Sequence, residues 1–345
     1  MEETIGCINS ALNAKNKTPH RIIVINDASP NTALTVALRS HVQDHSYVLL
    51  ENAENLGFVG TINRGIALSE DRDVILLNSD TVVPDHWIDQ LFAVAYSDPI
   101  IGTVTPFSNN ATICSYPRFC QDNAILAGHD VNTLNRIFFE VNGISNIDIP
   151  TAHGFCMLIK RAVVDNIGYF DHQKWGKGYG EENDFSLRAE KHGWRNAMAL
   201  GTFVQHHGSV SFAGNKEEFI KKNLKILEGM YPDYTLRVLQ FIKNDPVRKA
   251  RNAVTRALLK RDESTKKRTN KRVGRNILFI TLNIGGGTSV ATSSLSSQLA
   301  REGVGTLYLT SQPDGNWRLS KYGDDHGMDY CHKSEFPQLM ADLRA

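Results

Sequence analysis

Short apolar runs, each ending in a polar or acidic residue and each followed by a helix-length stretch, recur along the first third of the chain. Residues 21–26 (RIIVIN), 47–50, 73–77 (DVILL) and 100–105 read as strands, and residues 4–14, 57–68 and 84–96 as helices, the last opened by Pro84. Strands separated by helices imply parallel βαβ units and an α/β sheet covered on both faces. The expected fold is therefore α/β, with a mostly parallel, Rossmann-like sheet. Ligand sites in such sheets lie at the carboxyl ends of the strands, which is where Asp27 and Asp80 fall.

The pattern weakens over residues 107–150, which read as loops with a short helix. Order returns at 154–160, followed by helices at 161–167, 181–192 and 216–230, with 203–211 a strand or a loop. Residues 248–275 form a basic run nearly free of aromatics. It reads as a solvated linker or exposed helix, with an electrostatic tether to anionic lipid as the alternative. Beyond it, residues 276–282 (NILFITL) read as a strand, 285–287 as a glycine turn, the stretch to Arg301 as a helix and 305–309 as a strand. The expected division is a first domain at 1–245, a basic linker at 246–275 and the start of a second Rossmann-like unit at 276–345.

A formal net charge of +1 gives no case for a nucleic-acid partner. No apolar run reaches the roughly 18–20 residues of a membrane-spanning helix, and the N-terminus shows no secretory pattern. Five cysteines at wide spacings, with no metal-clip pair, suit reduced thiols in the cytoplasm.

Each candidate site has a structural alternative. Asp27 can contact a base or ribose, or simply form a turn. The segment Asn55-Leu56-Gly57-Phe58-Val59-Gly60, with Asn63, is a strand-to-helix turn whose glycines allow close backbone approach to a ligand. Asn78-Ser79-Asp80 places hard oxygen donors at a strand end, suited to Mg²⁺ or Mn²⁺ held with substrate phosphates, or else caps the next helix. Glu181, Glu182 and Asp184 open a helix, where the macrodipole favours acids. Functionally, Glu182 is a candidate general base. Of His206 and His207, adjacent on an extended segment, at most one can face a metal.

The order of these features is more specific than any one of them. Strand-Asp, NLGFVGxxNxG, strand-NSD, GFCMLIKR, GYFD, GYGEENDFSLRA and HHGSxSF, spread over residues 1–234, together resemble family 2 glycosyltransferases of the GT-A fold, particularly bacterial polysaccharide and O-antigen enzymes. The resemblance implies that Asp27, Asn55, Gly57, Asn63 and Asn78 bind the nucleotide of a nucleotide-diphosphate sugar. It gives Asp80 and His206 (His207 in reserve) a divalent metal, Mn²⁺ or Mg²⁺, on the diphosphate. Asn78 stands where the family's metal motif has its first acid, so two-carboxylate metal binding is in doubt. Glu182 matches the base position and Asp184 the following acid, which orients the loop. His153, Gly154 and Asp171 lie where the family receives a saccharide or lipid-linked acceptor.

Implied with these roles are inverting transfer, cell-surface polysaccharide synthesis, and a cytoplasmic location with peripheral membrane contact through the basic run. Residues 276–309 resemble the opening of a GT-B glycosyltransferase. The family's usual first strand (VSIIIPVYN type) has no counterpart here, which leaves residues 21–26 and 73–78 expected on either side of a gap. On that ground the chain reads as part of a longer protein, aggregation-prone and weakly active by itself. A weakly active fragment and a non-catalytic sugar-binding module are the competing readings.

Overall fold

The computed structural model describes residues 1–125, 128–176, 178, 180–208, 216–268, 276–282, 287–302, 304–312, 315–322, 327–331 and 334–344. Residues 285 and 286 of the glycine turn, 269–275 of the basic run, Tyr179 and the end of the HHGSxSF motif lie outside them. The chain forms two compact units, Met1–Asp245 and Pro246–Ala345.

The first unit opens with α1 (Glu2–Asn13), β1 (Ile23–Asn26), α2 (Thr32–Asp44), β2 (Val48–Glu51), α3 (Gly57–Ala67), β3 (Val74–Leu77) and β4 (Thr81–Val82). It continues through α4 (Trp87–Ala95), β5 (Ile101–Phe107), a 3₁₀ turn at Thr112–Cys114, α5 (Val131–Asn142), β6 (Asn146–Asp148) and β7 (Cys156–Ile159). Then come α6 (Arg161–Ile167), α7 (His172–Trp175), α8 (Glu181–Lys191), β8 (Arg195–Phe203), β9 (Gln205–His206), α9 (Lys216–Met230) and α10 (Tyr234–Asn244).

The architecture is mixed α/β, as expected of a GT-A domain, but the main sheet is less parallel than the alternation suggests. Its order is β3-β7-β5-β8-β6. Only β5 and β8 run parallel; β7 lies antiparallel between β3 and β5, and β6 antiparallel to β8. Every residue of β5 and β7 is buried. Met157 and Ile159 of β7 anchor an apolar cluster with Val163, Val164, Phe170, Trp175, Phe185 and Leu187. That cluster fixes α6, α7 and α8 on one face of the sheet and so sets where the acidic start of α8 points.

β1 pairs in parallel with β2, and among the described residues no pairing joins β1 to β3. A two-stranded antiparallel ribbon of β4 and β9 places Thr81 opposite His206. α1 supports this corner: the Cys7 thiol lies 3.3 Å from the Asn78 carbonyl and 3.4 Å from the Thr81 hydroxyl.

The second unit contains α11 (Arg248–Arg268), β10 (Asn276–Leu282), α12 (Gly287–Arg301), β11 (Gly305–Ser311), β12 (Trp317–Lys321), β13 (Gly327–Tyr330) and α13 (Phe336–Arg344). Its sheet runs β10-β11-β12-β13, the first pair parallel and the others antiparallel.

Of the two readings of the basic run, linker or exposed helix, the described part is a helix, but one that is not wholly exposed. Residues 248–268 are helical, and α11 buries Val254 and Leu258. Arg256 makes a two-pronged contact with Asp342 at 2.8 Å, Arg248 pairs with Glu335 at 2.9 Å, and Arg251 lies 3.7 Å from Asp329. The positive charge that reads as solvated is partly spent on acids within the same unit. Among the described residues no helix is long and apolar enough to cross a membrane.

Candidate active site

The end of β3 and the ribbon β4–β9 build the first half of the site. The Asn78 amide donates to the Phe155 carbonyl at 2.9 Å, and the chain then turns so that Asp80 meets the strand carrying His206. The His207 amide donates to the Asp80 carbonyl at 2.9 Å and the Gly208 amide to its Oδ2 at 3.1 Å. Asp80 Oδ1 then lies 3.4 Å from His206 Nε2, although 126 positions separate the two residues in sequence.

Both groups are largely buried. Burial opposes the Asp80 charge, but the His206 and Gly208 contacts outweigh it and hold the carboxyl below its ordinary value. Burial likewise lowers the His206 imidazole, and Asp80 with the Asn110 carbonyl more than reverses this.

A loop after β5, which sequence reasoning passed over, fixes the His206 ring. The side-chain amide of Asn109 accepts from the His206 amide and donates to its carbonyl, both at 2.9 Å. The Asn110 carbonyl lies 2.6 Å from Nδ1. A carbonyl can only accept, so Nδ1 carries the proton and Nε2 is the atom left to face Asp80. Phe155 stacks on the ring at a centroid distance of 5.2 Å. The only sequence signal for this support is the pair Asn109-Asn110 in a polar stretch. His207 is exposed and faces away, which matches the alternation expected along an extended segment.

The donor set, one carboxylate and one oriented imidazole nitrogen, fits a divalent ion of the Mn²⁺ or Mg²⁺ type. Among the described residues no cluster of three or more His, Cys, Asp or Glu could hold a metal. Such an ion would therefore take most of its ligands from the substrate.

The second half lies at the start of α8. A Cβ added to Gly154 would lie 3.8 Å from the Glu182 carboxyl carbon and its Oε1, and 3.9 Å from the Phe58 ring. Glu182 therefore overhangs a bare stretch of backbone. His153 connects the halves: its ring contacts Phe155 edge-on at 5.4 Å and feels both Glu182 and His206. Burial lowers its imidazole below the ordinary value despite the Glu182 charge. Burial raises the Tyr234 hydroxyl above its ordinary value, with Thr151 opposing this and the Glu182 charge adding to it. Asp184 is engaged elsewhere, accepting from Arg188 at 2.9 Å and from the Tyr231 hydroxyl at 2.9 Å, so it braces α8.

The expected nucleotide segment is ordered by Asp27. Its Oδ1 accepts from the Leu56 amide at 2.8 Å and from the Asn52 side chain at 2.7 Å. Asn55 donates to the Asp27 carbonyl at 3.1 Å and accepts from the Gly57 amide at 3.1 Å, and Gly57 takes φ +71, a conformation glycine tolerates. Asn63 is occupied in a reciprocal pair with Phe170, at 2.8 and 3.1 Å, that clips α3 to the loop before α7. Asp171 caps α7 through the Lys174 amide at 3.0 Å. In the protein as it stands both residues therefore have structural duties.

Sequence comparison reaches the first half of this arrangement. Residues 2–168 match the family model of glycosyl transferase family 2. The matched stretch contains Asp27, Asn78, Asp80, His153 and Gly154; Asp171, Glu182, Asp184 and His206 lie beyond it. No curated protein matches the chain by sequence. Among solved structures, it resembles GalNAc-T7 with UDP, GalNAc and Mn²⁺ at 12% identity and a TM-score of 0.47, over 78% of this chain and 55% of that one. It also resembles the mannosyltransferase PcManGT from Pyrobaculum calidifontis with GDP-Man and Mn²⁺, at 13% identity and a TM-score of 0.44, over 87% of this chain and 76% of that one. The chain thus spans about half the length of the first of these structures.

Proposed function

We propose that the chain is an inverting, metal-assisted glycosyltransferase that moves a sugar from a nucleotide diphosphate to the hydroxyl of a saccharide or lipid-linked acceptor. The observation that carries this reading is the Asp80 Oδ1–His206 Nε2 contact of 3.4 Å, with the imidazole locked from behind by Asn110. A carboxylate and an oriented imidazole at the carboxyl end of a strand suit a diphosphate-bound cation. Mn²⁺ or Mg²⁺ held by Asp80 and His206 would supply positive charge beside the leaving diphosphate.

Asp27 and the Asn55–Gly57 turn take the nucleoside, and Asn78 the ribose. Glu182, with His153 and the Gly154 backbone beside it, receives the acceptor hydroxyl. Its carboxylate takes the hydroxyl proton as the oxygen bonds to the anomeric carbon. The bond to the diphosphate oxygen breaks on the opposite face, which inverts the configuration.

A panel of UDP- and GDP-sugars with and without Mn²⁺, scored for hydrolysis and for transfer to simple glycosides, tests this. Turnover of at least one donor that depends on the metal is expected. Inertness toward every donor, with no nucleotide bound, would point to the non-catalytic reading.

Work on cell-surface polysaccharide at the inner face of the membrane is the setting this activity would fit. A basic contact with anionic lipid would fall to exposed bases of α11 such as Lys249 and Lys260, because Arg248 and Arg256 are paired. The β10–α12–β11 unit supports a GT-B-like start for the second unit, while the antiparallel β12 and β13 depart from a purely parallel sheet.

A further inference from the structure

The start of α8 carries two adjacent acids, Glu181 buried and Glu182 half-buried. Glu181 is 5% exposed. Among the described residues no cation pairs with it. Its Oε2 is buried without a hydrogen-bond partner, and so is Oε2 of Glu182. Around the pair lie the Gly178 backbone, where an added Cβ would be 3.4 Å from Glu181 Oε1, and Trp175, whose indole nitrogen is also buried without a partner. His153 and Tyr234 face Glu182. On α8 itself, Asp184 is neutralised by Arg188.

Two adjacent carboxylates, each with a buried oxygen that lacks a partner and, among the described residues, no cation to pair with Glu181, are strongly disfavoured from both being ionised. Placing one proton between them removes a charge and gives the pair a hydrogen bond. We propose that Glu181 is carried as a neutral carboxylic acid whose proton is shared with Glu182, making Glu181 the positioning residue that turns the Glu182 carboxylate toward Gly154. One Glu182 oxygen is then tied by the Glu181 O–H, and the other, beside Gly154, is left for the acceptor hydroxyl. Burial, then the Glu182 charge, push the Glu181 carboxyl up to about 9, while amides at the start of α8 act in the opposite direction. The sharing of a proton rests on the burial of Glu181, the two unpartnered oxygens and the hydrogen bond between the two side chains; its use in positioning a base rests on the function proposed above.

The test is thermal unfolding of the full chain from pH 4 to 9.5, as the wild type, Glu181→Gln and Glu181→Ala. A carboxyl whose folded-state value lies far above its unfolded value contributes stability that is fully present below about pH 4.5 and is lost as pH rises toward 9. Glutamine keeps a neutral donor and cannot ionise. Glu181→Gln should therefore melt close to the wild type at pH 4 and increasingly above it at higher pH, the gap exceeding about 2 °C by pH 8. Glu181→Ala removes the donor and should melt below Glu181→Gln throughout. A gap between wild type and Glu181→Gln that does not change with pH overturns the shared proton. In a donor-hydrolysis assay the wild type should lose kcat above about pH 9 and Glu181→Gln should not. The expected melting pattern with no change in that alkaline limb would leave the proton in place and overturn the positioning role.

Discussion

Asn110 decides which nitrogen of His206 is available, and so decides what the Asp80 corner can bind. With Nδ1 donating to a backbone carbonyl at 2.6 Å, Nε2 is fixed toward Asp80 before any ligand arrives. This arrangement keeps an imidazole in the metal-binding tautomer. Glu182 is set up differently. It is packed over Gly154 with one oxygen lacking a partner, so its chemistry depends on what enters beside it. Glu182→Gln keeps the shape and removes the proton acceptor. Transfer should fall by about 10²- to 10⁴-fold, the usual range for a general base, while nucleotide affinity measured by calorimetry stays near the wild-type value. Equal activity in the variant would move the base elsewhere; Asp184 is a poor successor because Arg188 and Tyr231 occupy it.

At the scale of elements, the loop from α7 to α8 aims the two acids. Gly180 sits at φ +140, and an added Cβ would meet the Trp175 ring at 2.6 Å. Gly180→Ala should therefore cost at least about 2 kcal/mol from combined strain and overpacking, read as a lower denaturation midpoint with activity falling alongside. A variant as stable as the wild type would mean that the loop has another conformation available.

Elements were legible where burial gives a strong period. α6, α9 and β10 have the expected limits, and α3 and α8 differ by a residue at one end. α2 escaped notice because Leu38 is its sole buried residue, so it carries no apolar stripe. β8 escaped because RNAMALGTF is rich in small residues of low strand propensity. It is a strand because it packs between β5 and β6, where context overrides propensity. The carboxylates and histidine of the candidate site stand out in the sequence through motif order. Asn109, Asn110, Glu181 and Trp175 were not, since their roles depend on contacts between segments far apart in sequence or on burial.

For the whole molecule, the residues proposed to hold metal and nucleotide all belong to the unit Met1–Asp245. A ligand that binds only the folded state stabilises it in proportion to its excess over Kd, by about 2.7 kcal/mol at a hundredfold excess. Protection against unfolding therefore reports on the Asp80–His206 site without requiring that the donor sugar or acceptor be known. The most direct measurement is thermal unfolding of the full chain with UDP or GDP, with and without Mn²⁺, in the wild type and in Asp80→Ala. At least one nucleotide should raise the wild-type melting temperature in a Mn²⁺-dependent way, and Asp80→Ala should melt as a folded protein that has lost this Mn²⁺-dependent shift. An undiminished shift in Asp80→Ala, or no shift in the wild type with either nucleotide, would contradict the assignment of this corner as the metal–diphosphate site.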